Sequence, residues 1–359
     1  CSGLRRQFAT VCHQRRHVVT AVHVNSRGVA NGRKACIAIA CQPSAASVVK
    51  PWPWLGDARG TDQRRQDLWC FLGPRPWLDG APSGALRAVE EKSFARIEHW
   101  TLTLNAVEPV PALLVLPKDQ PPRGLVIYCH AHGNRFECGK DELLYGRPAL
   151  ASPPYAELLP ALGYAVLAID HWCFGERAAN SERAMVKRLL WDGCTLWGYR
   201  VHDTLVALDW VRSRPGFADL PVVTLGLSMG STMAVWAAAL DTRIDACIDL
   251  CCLAEFDALV SDGNFDLHGE YFFVPGLRSE FSASEISALI TPRPHLSLVG
   301  KHDPLTPSDG VAAIDRAMKS SYGAFNQSTH WRQTIHDCGH QETDAMRAEV
   351  LARLREILP

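Results

Sequence analysis

Residues 222–240, VVTLGLSMGSTMAVWAAAL, decide the fold. Val222 to Leu225 are apolar or β-branched and read as a short buried strand. From Ser231 to Leu240 the residues are mostly small and apolar, the pattern of a helix packed closely on its neighbours. Between the two stands Gly226-Leu-Ser228-Met-Gly230, a G-x-S-x-G at a strand-to-helix junction. The glycines are needed because the turn is tight and the helix passes close by, and the serine is thereby held out on strained backbone. The following N–H, on Met229, sits at a helix N-terminus and can receive an oxyanion. Taken alone the pentapeptide could merely turn the chain, so the reading depends on whether partners exist.

Outward from this stretch, short apolar runs at 125–129, 164–169, 244–248 and 295–299 alternate with helical patterns at 155–162, 205–214 and 308–318. Strands alternating with helices imply βαβ units and a mostly parallel sheet with helices on both faces. Two earlier runs, 96–104 and 110–116, read as a strand pair joined near Asn105. In an open sheet of this kind, sites form beyond the carboxyl ends of the strands. The residues that follow each strand are therefore the informative ones.

A serine hydroxyl is a weak nucleophile and needs an imidazole to take its proton and an acid to orient that imidazole. After the strand at 295–299 comes Gly300-Lys-His-Asp303-Pro-Leu-Thr-Pro307, and Asp303 is the candidate acid. Further on, Ile335-His-Asp-Cys-Gly-His340 places His340 in a glycine-containing loop before a helix expected at 344–357. The competitors are Asp249 for the acid, and His336 and His302 for the base. His336 still lies on the expected strand 331–335, and His302 is adjacent to Asp303, so the two point to opposite sides.

The strand at 125–129 leads into His130-Ala-His132-Gly133-Asn134. A second oxyanion donor is expected here, assigned by position to the N–H of Asn134, with Gly133 as second choice. His130 and His132 read as loop-shaping side chains. Two histidines at i, i+2 could ligate zinc, but no spaced third ligand is evident, so neither metal nor other cofactor is expected. Aromatic loops at the carboxyl edge are candidate pocket walls. The segment 174–199 carries Trp191 and Trp197, and 255–281 carries Phe256, Phe265, Tyr271, Phe272 and Phe273. Ordinary packing beneath long loops is the other reading of these rings. His132, Gly133, Trp172, Trp197 and Phe272 are the candidate substrate contacts, and Glu176 with Arg177 reads as an ion pair near the site.

The composition is that of an ordinary globular protein, 47% hydrophobic and 21% charged over 359 residues, with a net charge of −1. Residues 1–56 hold eight Lys or Arg and no Asp or Glu, which leaves 29 of the 37 basic residues against all 38 acids beyond them. That mildly acidic remainder argues against a nucleic-acid surface. Thirteen cysteines without a Cys-x-x-Cys pair suit reduced thiols and a cytoplasmic setting. No run approaches the ~20 apolar residues that span a bilayer. Residues 1–50 read as a disordered tail, a targeting segment or sequence upstream of the true start. Residues 51–94 read as a helical and loop extension and 95–359 as the catalytic domain; oligomeric state is left open.

The set resembles the α/β-hydrolase superfamily from about residue 95 to the C-terminus, with the nucleophile, acid and base in the order Ser, Asp, His. Closer still, it resembles the dienelactone-hydrolase-like and acetyl xylan esterase-like branch of bacterial serine esterases. The features are His132-Gly133, Asp170-His-Trp-Cys-Phe-Gly-Glu-Arg177, Gly226 to Gly230, Ile290-Thr-Pro-Arg-Pro294, and His302-Asp303 with Pro307. The resemblance implies an α/β-hydrolase fold and a Ser-His-Asp hydrolase acting on small-molecule esters of short acids, without a cofactor. Two departures matter. Dienelactone hydrolases proper use cysteine where this chain has Ser228, and the acetyl xylan esterase motifs are matched only loosely. A peptidase or acyltransferase with the same triad, or a non-catalytic binding protein on the same fold, are the alternatives.

Overall fold

The computed structural model describes residues 51–358; the expectations for residues 1–50 lie outside the described residues. Nine strands form one sheet: β1 (Ser83–Glu91), β2 (Arg96–Thr103), β3 (Val110–Leu116), β4 (Gly124–Cys129), β5 (Tyr164–Ile169), β6 (Val222–Leu227), β7 (Ala246–Leu250), β8 (His295–Gly300) and β9 (Trp331–His336). Their order across the sheet is β1-β2-β3-β5-β4-β6-β7-β8-β9. The β1–β2, β2–β3 and β3–β5 pairs are antiparallel, and every pair from β5 through β4 to β9 is parallel. The sheet is therefore mostly parallel, as the strand–helix alternation implies.

The central strands are apolar along their whole length because both faces are covered. Leu125, Ile127 and Cys129 of β4 and Ala165, Leu167 and Ile169 of β5 face one layer, with the helices Ala58–Leu72, Leu196–Arg212 and Met229–Leu240. Val126, Tyr128, Val166 and Ala168 face the other, with the helix Asp344–Ile357. At 25 cal/mol per Å² a fully buried Leu or Val contributes about 1.5–3 kcal/mol, so the two layers are held by many such terms. None of the nine described cysteines is in a disulfide.

The N-terminal stretch differs from its expectation. It does contain a helix, Ala58–Leu72, but also strand β1, which pairs with β2 along its length. The sheet therefore begins twelve residues ahead of the expected boundary at 95. The sequence hides β1 because its residues are exposed almost throughout and show little of the apolar alternation of a half-buried strand. Among the described residues, no helix is long and apolar enough to cross a membrane.

Candidate active site

Ser228 stands between β6 and the helix Met229–Leu240 with φ +59° and ψ −121°, a conformation that a side chain adopts only when its surroundings impose it. The surroundings do so. A Cβ on Gly230 would collide with the Cys129 carbonyl of β4, and one on Gly226 would meet Gly230 and the same carbonyl. Only glycine at both positions lets helix, β6 and β4 approach this closely. The Ser228 N–H is anchored to the Leu250 carbonyl of β7 at 2.9 Å. The result is a half-buried hydroxyl projecting at the carboxyl edge of the sheet.

His340 reaches it. Its Nε2 lies 2.8 Å from Ser228 Oγ and its Nδ1 2.7 Å from Asp303 Oδ2. The carboxylate fixes the tautomer: Nδ1–H donates to Asp303, and Nε2 keeps its lone pair for the serine proton. Asp303 is itself held, since its Oδ1 accepts the Leu305 N–H at 2.9 Å. The loop carrying His340 is stitched to the end of β8 by Lys301 N–H to His336 O (2.8 Å) and His302 N–H to Cys338 O (2.9 Å). Gly300 permits this approach, because a Cβ there would strike the Gly339 carbonyl. On the far side the buried Glu342 anchors the loop. It accepts from Tyr155 Oη at 2.5 Å and pairs with Arg347 at 2.6 Å, while its N–H donates to Ala149 O at 2.8 Å.

The competitors are elsewhere. β7 runs on to Leu250, so Asp249 lies inside the strand rather than after it, buried on His295 (2.7 Å) and Ser297 (3.1 Å). His302 faces Asp337 at 2.8 Å on the surface, and His336, the last residue of β9, faces Glu349 at 3.0 Å.

The loop after β4 is a tight turn closed by Arg135 N–H to His132 O at 3.1 Å, with Gly133 (φ +52°) and Asn134 (φ +54°) at its centre. Two successive positive φ values are the signature of a type I′ turn, which glycine and asparagine tolerate best. The Asn134 N–H is not turned to the site but donates to His132 Nδ1 at 3.1 Å. No protein acceptor among the described residues takes the N–H of Gly133 or Met229. Of the two candidates on this turn, the N–H of Gly133, the second choice, is thus the one left without a protein acceptor, as is that of Met229.

The candidate contacts also divide. Trp172 and Trp197 are buried, not exposed walls. Trp172 packs on Tyr199 and beneath the Arg177 guanidinium, and Trp197 on Trp236, Tyr271 and Phe272. Trp191 is 95% exposed. Phe272 does line a cavity of about 20 Å³, together with Thr232 and Cys252, one helical turn from Ser228. Glu176 and Arg177 do not pair with each other. Glu176 meets Arg87 and Lys140, while Arg177 meets Glu108 (2.7 Å) and Asp203 (2.9 Å). Neighbours on a short helical turn diverge, and each finds partners of its own.

His130 and His132 do not converge on a common point either. His130 is buried, its Nδ1 on the Ala131 carbonyl (3.1 Å) and its Nε2 accepting the His171 N–H (3.2 Å), and burial pushes its pKa down to about 3. His132 Nε2 faces Glu182 at 2.9 Å. Among the described residues no three His, Cys, Asp or Glu side chains group as metal ligands. The sequence missed Glu182, Arg200, Glu342 and Arg347, because buried charges on amphipathic stretches look like solvated ones until their partners are known.

No family model matches the chain. A relative in Bacillus subtilis (strain 168), "Putative hydrolase YtaP", is 41% identical over 297 residues, covering 82% of this chain and 99% of the relative. Among solved structures, a glucuronoyl esterase from Solibacter usitatus superposes with a TM-score of 0.64 at 15% identity, covering 88% of this chain and 98% of that one. Acetyl xylan esterase 1 from Thermoanaerobacterium sp. JW/SL YS485 gives 0.53 at 17%, covering 87% and 96%. At these identities the structures speak for the fold and the Bacillus relative for the family. The chain has the α/β-hydrolase fold and belongs to the family of its Bacillus relative, "Putative hydrolase YtaP".

Proposed function

We propose that the protein is a serine hydrolase that cleaves small carboxylic esters, short-chain or acetyl esters above all, through an acyl-enzyme. The observation that carries this reading is the unbroken line Ser228 Oγ–His340 Nε2 (2.8 Å) and His340 Nδ1–Asp303 Oδ2 (2.7 Å) at a strained serine. Ser228 Oγ attacks the ester carbonyl while Nε2 takes its proton, and Asp303 stabilises the imidazolium that forms. The negative charge that develops on the carbonyl oxygen is met by the N–H groups of Met229, at the helix N-terminus, and Gly133. His340 then returns the proton to the departing alcohol, and water attacks the acyl-Ser228 ester by the same route in reverse. The esterases named above share this fold.

The test is a fluorophosphonate probe together with p-nitrophenyl esters from acetate to palmitate. Wild type should be labelled and should turn over acetate fastest. Ser228→Ala should take no label and lose kcat by about 10⁴-fold or more. Equal labelling of Ser228→Ala would remove the serine from the mechanism, and a preference for palmitate would remove the short-acyl assignment.

A further inference from the structure

A buried chain of charged side chains, unused by the chemistry above, runs behind the turn that carries Gly133. Arg200, on the helix Leu196–Arg212, is wholly buried. Its Nη2 donates to Glu182 Oε2 at 2.6 Å and to the Trp172 carbonyl at 2.8 Å, and its Nη1 lies 3.3 Å from Met229 Sδ. The guanidinium sits between the rings of Phe174 and Tyr271, 5.1 and 4.9 Å from their centroids. Glu182 opens the next helix upstream, Glu182–Trp191, and its Oε1 faces His132 Nε2 at 2.9 Å. The His132 ring stacks on Tyr271, and its Nδ1 accepts the Asn134 N–H at 3.1 Å.

A buried ion pair seldom stabilises a fold more than apolar residues of the same volume would, so its presence asks for another reason. The two ends of this chain suggest one. Arg200 abuts the side chain of Met229, whose N–H is one proposed oxyanion donor. His132 holds the turn whose Gly133 N–H is the other. We propose that Arg200, Glu182 and His132 are positioning residues that fix the two oxyanion donors relative to each other. This rests on the serine-esterase reading given above.

The chemistry of each link is determined by its neighbour. Burial alone would raise the pKa of Glu182, but the hydrogen bond from His132 and the charge of Arg200 outweigh it and hold the carboxyl below its ordinary value. An ionised carboxylate only accepts hydrogen bonds, so His132 must donate from Nε2 and keep the Nδ1 lone pair. That lone pair takes the Asn134 N–H, which braces the turn and leaves the Gly133 N–H as the one without a protein acceptor. With the tautomer reversed, two N–H groups would face each other and the turn would open. The carboxylate thus sets the shape of the oxyanion hole through a buried imidazole.

The experiment compares His132→Ala, His132→Asn and Glu182→Gln on p-nitrophenyl acetate. His132→Ala removes the last link while leaving Arg200 paired with Glu182, so the fold should survive. It should lower kcat about 10- to 100-fold with KM within about twofold, because a misplaced oxyanion donor weakens the transition state and not the ground state. His132→Asn can accept the same N–H through its own Oδ1, as asparagine does in Asx turns, and should restore most of the loss. Glu182→Gln lets the tautomer reverse and should fall with His132→Ala. An unchanged kcat in His132→Ala, a loss confined to KM, or an asparagine variant no better than alanine would each overturn the proposal. The two failures are distinguishable: turnover surviving Ser228→Ala removes the esterase reading, whereas an inactive Ser228→Ala beside a fully active His132→Ala removes only the positioning role.

Discussion

At the scale of the residue, what separates His340 from the two rival histidines is reach rather than type. A general base must lie within hydrogen-bond distance of the proton it takes. His340 is 2.8 Å from Ser228 Oγ, while His302 and His336 are engaged with Asp337 and Glu349. His340→Ala should therefore lower kcat by about the same factor as Ser228→Ala, since triad members act as a unit and their losses do not add. His302→Ala, at an exposed pair, should change kcat less than about twofold. Steady-state kinetics on p-nitrophenyl acetate decide, and a His336→Ala variant without turnover beside an active His340→Ala would reassign the base. The candidates Ser228, Asp303 and His340 could be read from the sequence because each lies within three residues of the end of a strand or just after a glycine. Asn134 could not be resolved from Gly133. The choice between adjacent N–H groups depends on the direction of the turn, which the His132 side chain sets and no local pattern reports.

At the scale of the element, the parallel strands β4 to β8 were legible because burial on both faces leaves an apolar run, and β1 was not, because exposure leaves none. The segments beyond the strands also escaped. The helix expected at 205–214 begins nine residues earlier, at Leu196, since Trp197 and Arg200 are buried against Tyr271 of the insertion 255–281 and His202 against Trp77, which breaks the usual one-sided pattern. Burial at the strand ends has a consequence for pH. His130 and His171 are both buried beyond β4 and β5, with ring centroids 4.7 Å apart, and burial holds both pKa values below 6.5, His130 at about 3. The folded protein then binds fewer protons than the unfolded chain below pH 6.5. Stability should be flat with respect to these groups above that pH and should fall on acidification, by up to about 1.4 kcal/mol per pH unit for each histidine. Urea unfolding between pH 4 and 8 measures the slope. His130→Gln, which can still accept the His171 N–H, should flatten it by about one proton, and an unaltered slope would mean that His130 does not stay neutral in the fold.

At the scale of the molecule, the stretch ahead of the sheet is part of the structure that holds the serine. The helix Ala58–Leu72 is capped by Asp57, which accepts the N–H groups of Arg59 and Gly60. Leu68 and Leu72 are buried in the same core layer as Met229, Met233 and Trp236 of the helix that follows Ser228. Arg65 reaches across to the Ala239 carbonyl at 3.0 Å and the Leu289 carbonyl at 2.9 Å, so it satisfies the end of that helix and of the segment leading to β8. Thr195 donates its hydroxyl to the Leu72 carbonyl at 2.8 Å, tying the helix to the start of Leu196–Arg212, which carries Arg200. An extension that merely leaned on the domain would bury little and cost little when trimmed. One built in this way should behave as core. Leu68→Ala removes a fully buried side chain and should cost about 2–5 kcal/mol. Arg65→Ala leaves the Ala239 carbonyl without its donor, while the Leu289 carbonyl keeps Arg293 at 3.2 Å, and should cost about 1–3 kcal/mol. Both should unfold in urea with the rest of the chain in one transition, at a lower midpoint and with an unchanged slope. Because Arg65 meets the far end of the Ser228 helix rather than its N-terminus, kcat of Arg65→Ala at temperatures well below the transition should stay within about twofold of wild type. A Leu68→Ala variant with an unshifted midpoint would return the helix to the status of a peripheral extension. A separate early transition would show that it folds as a unit of its own.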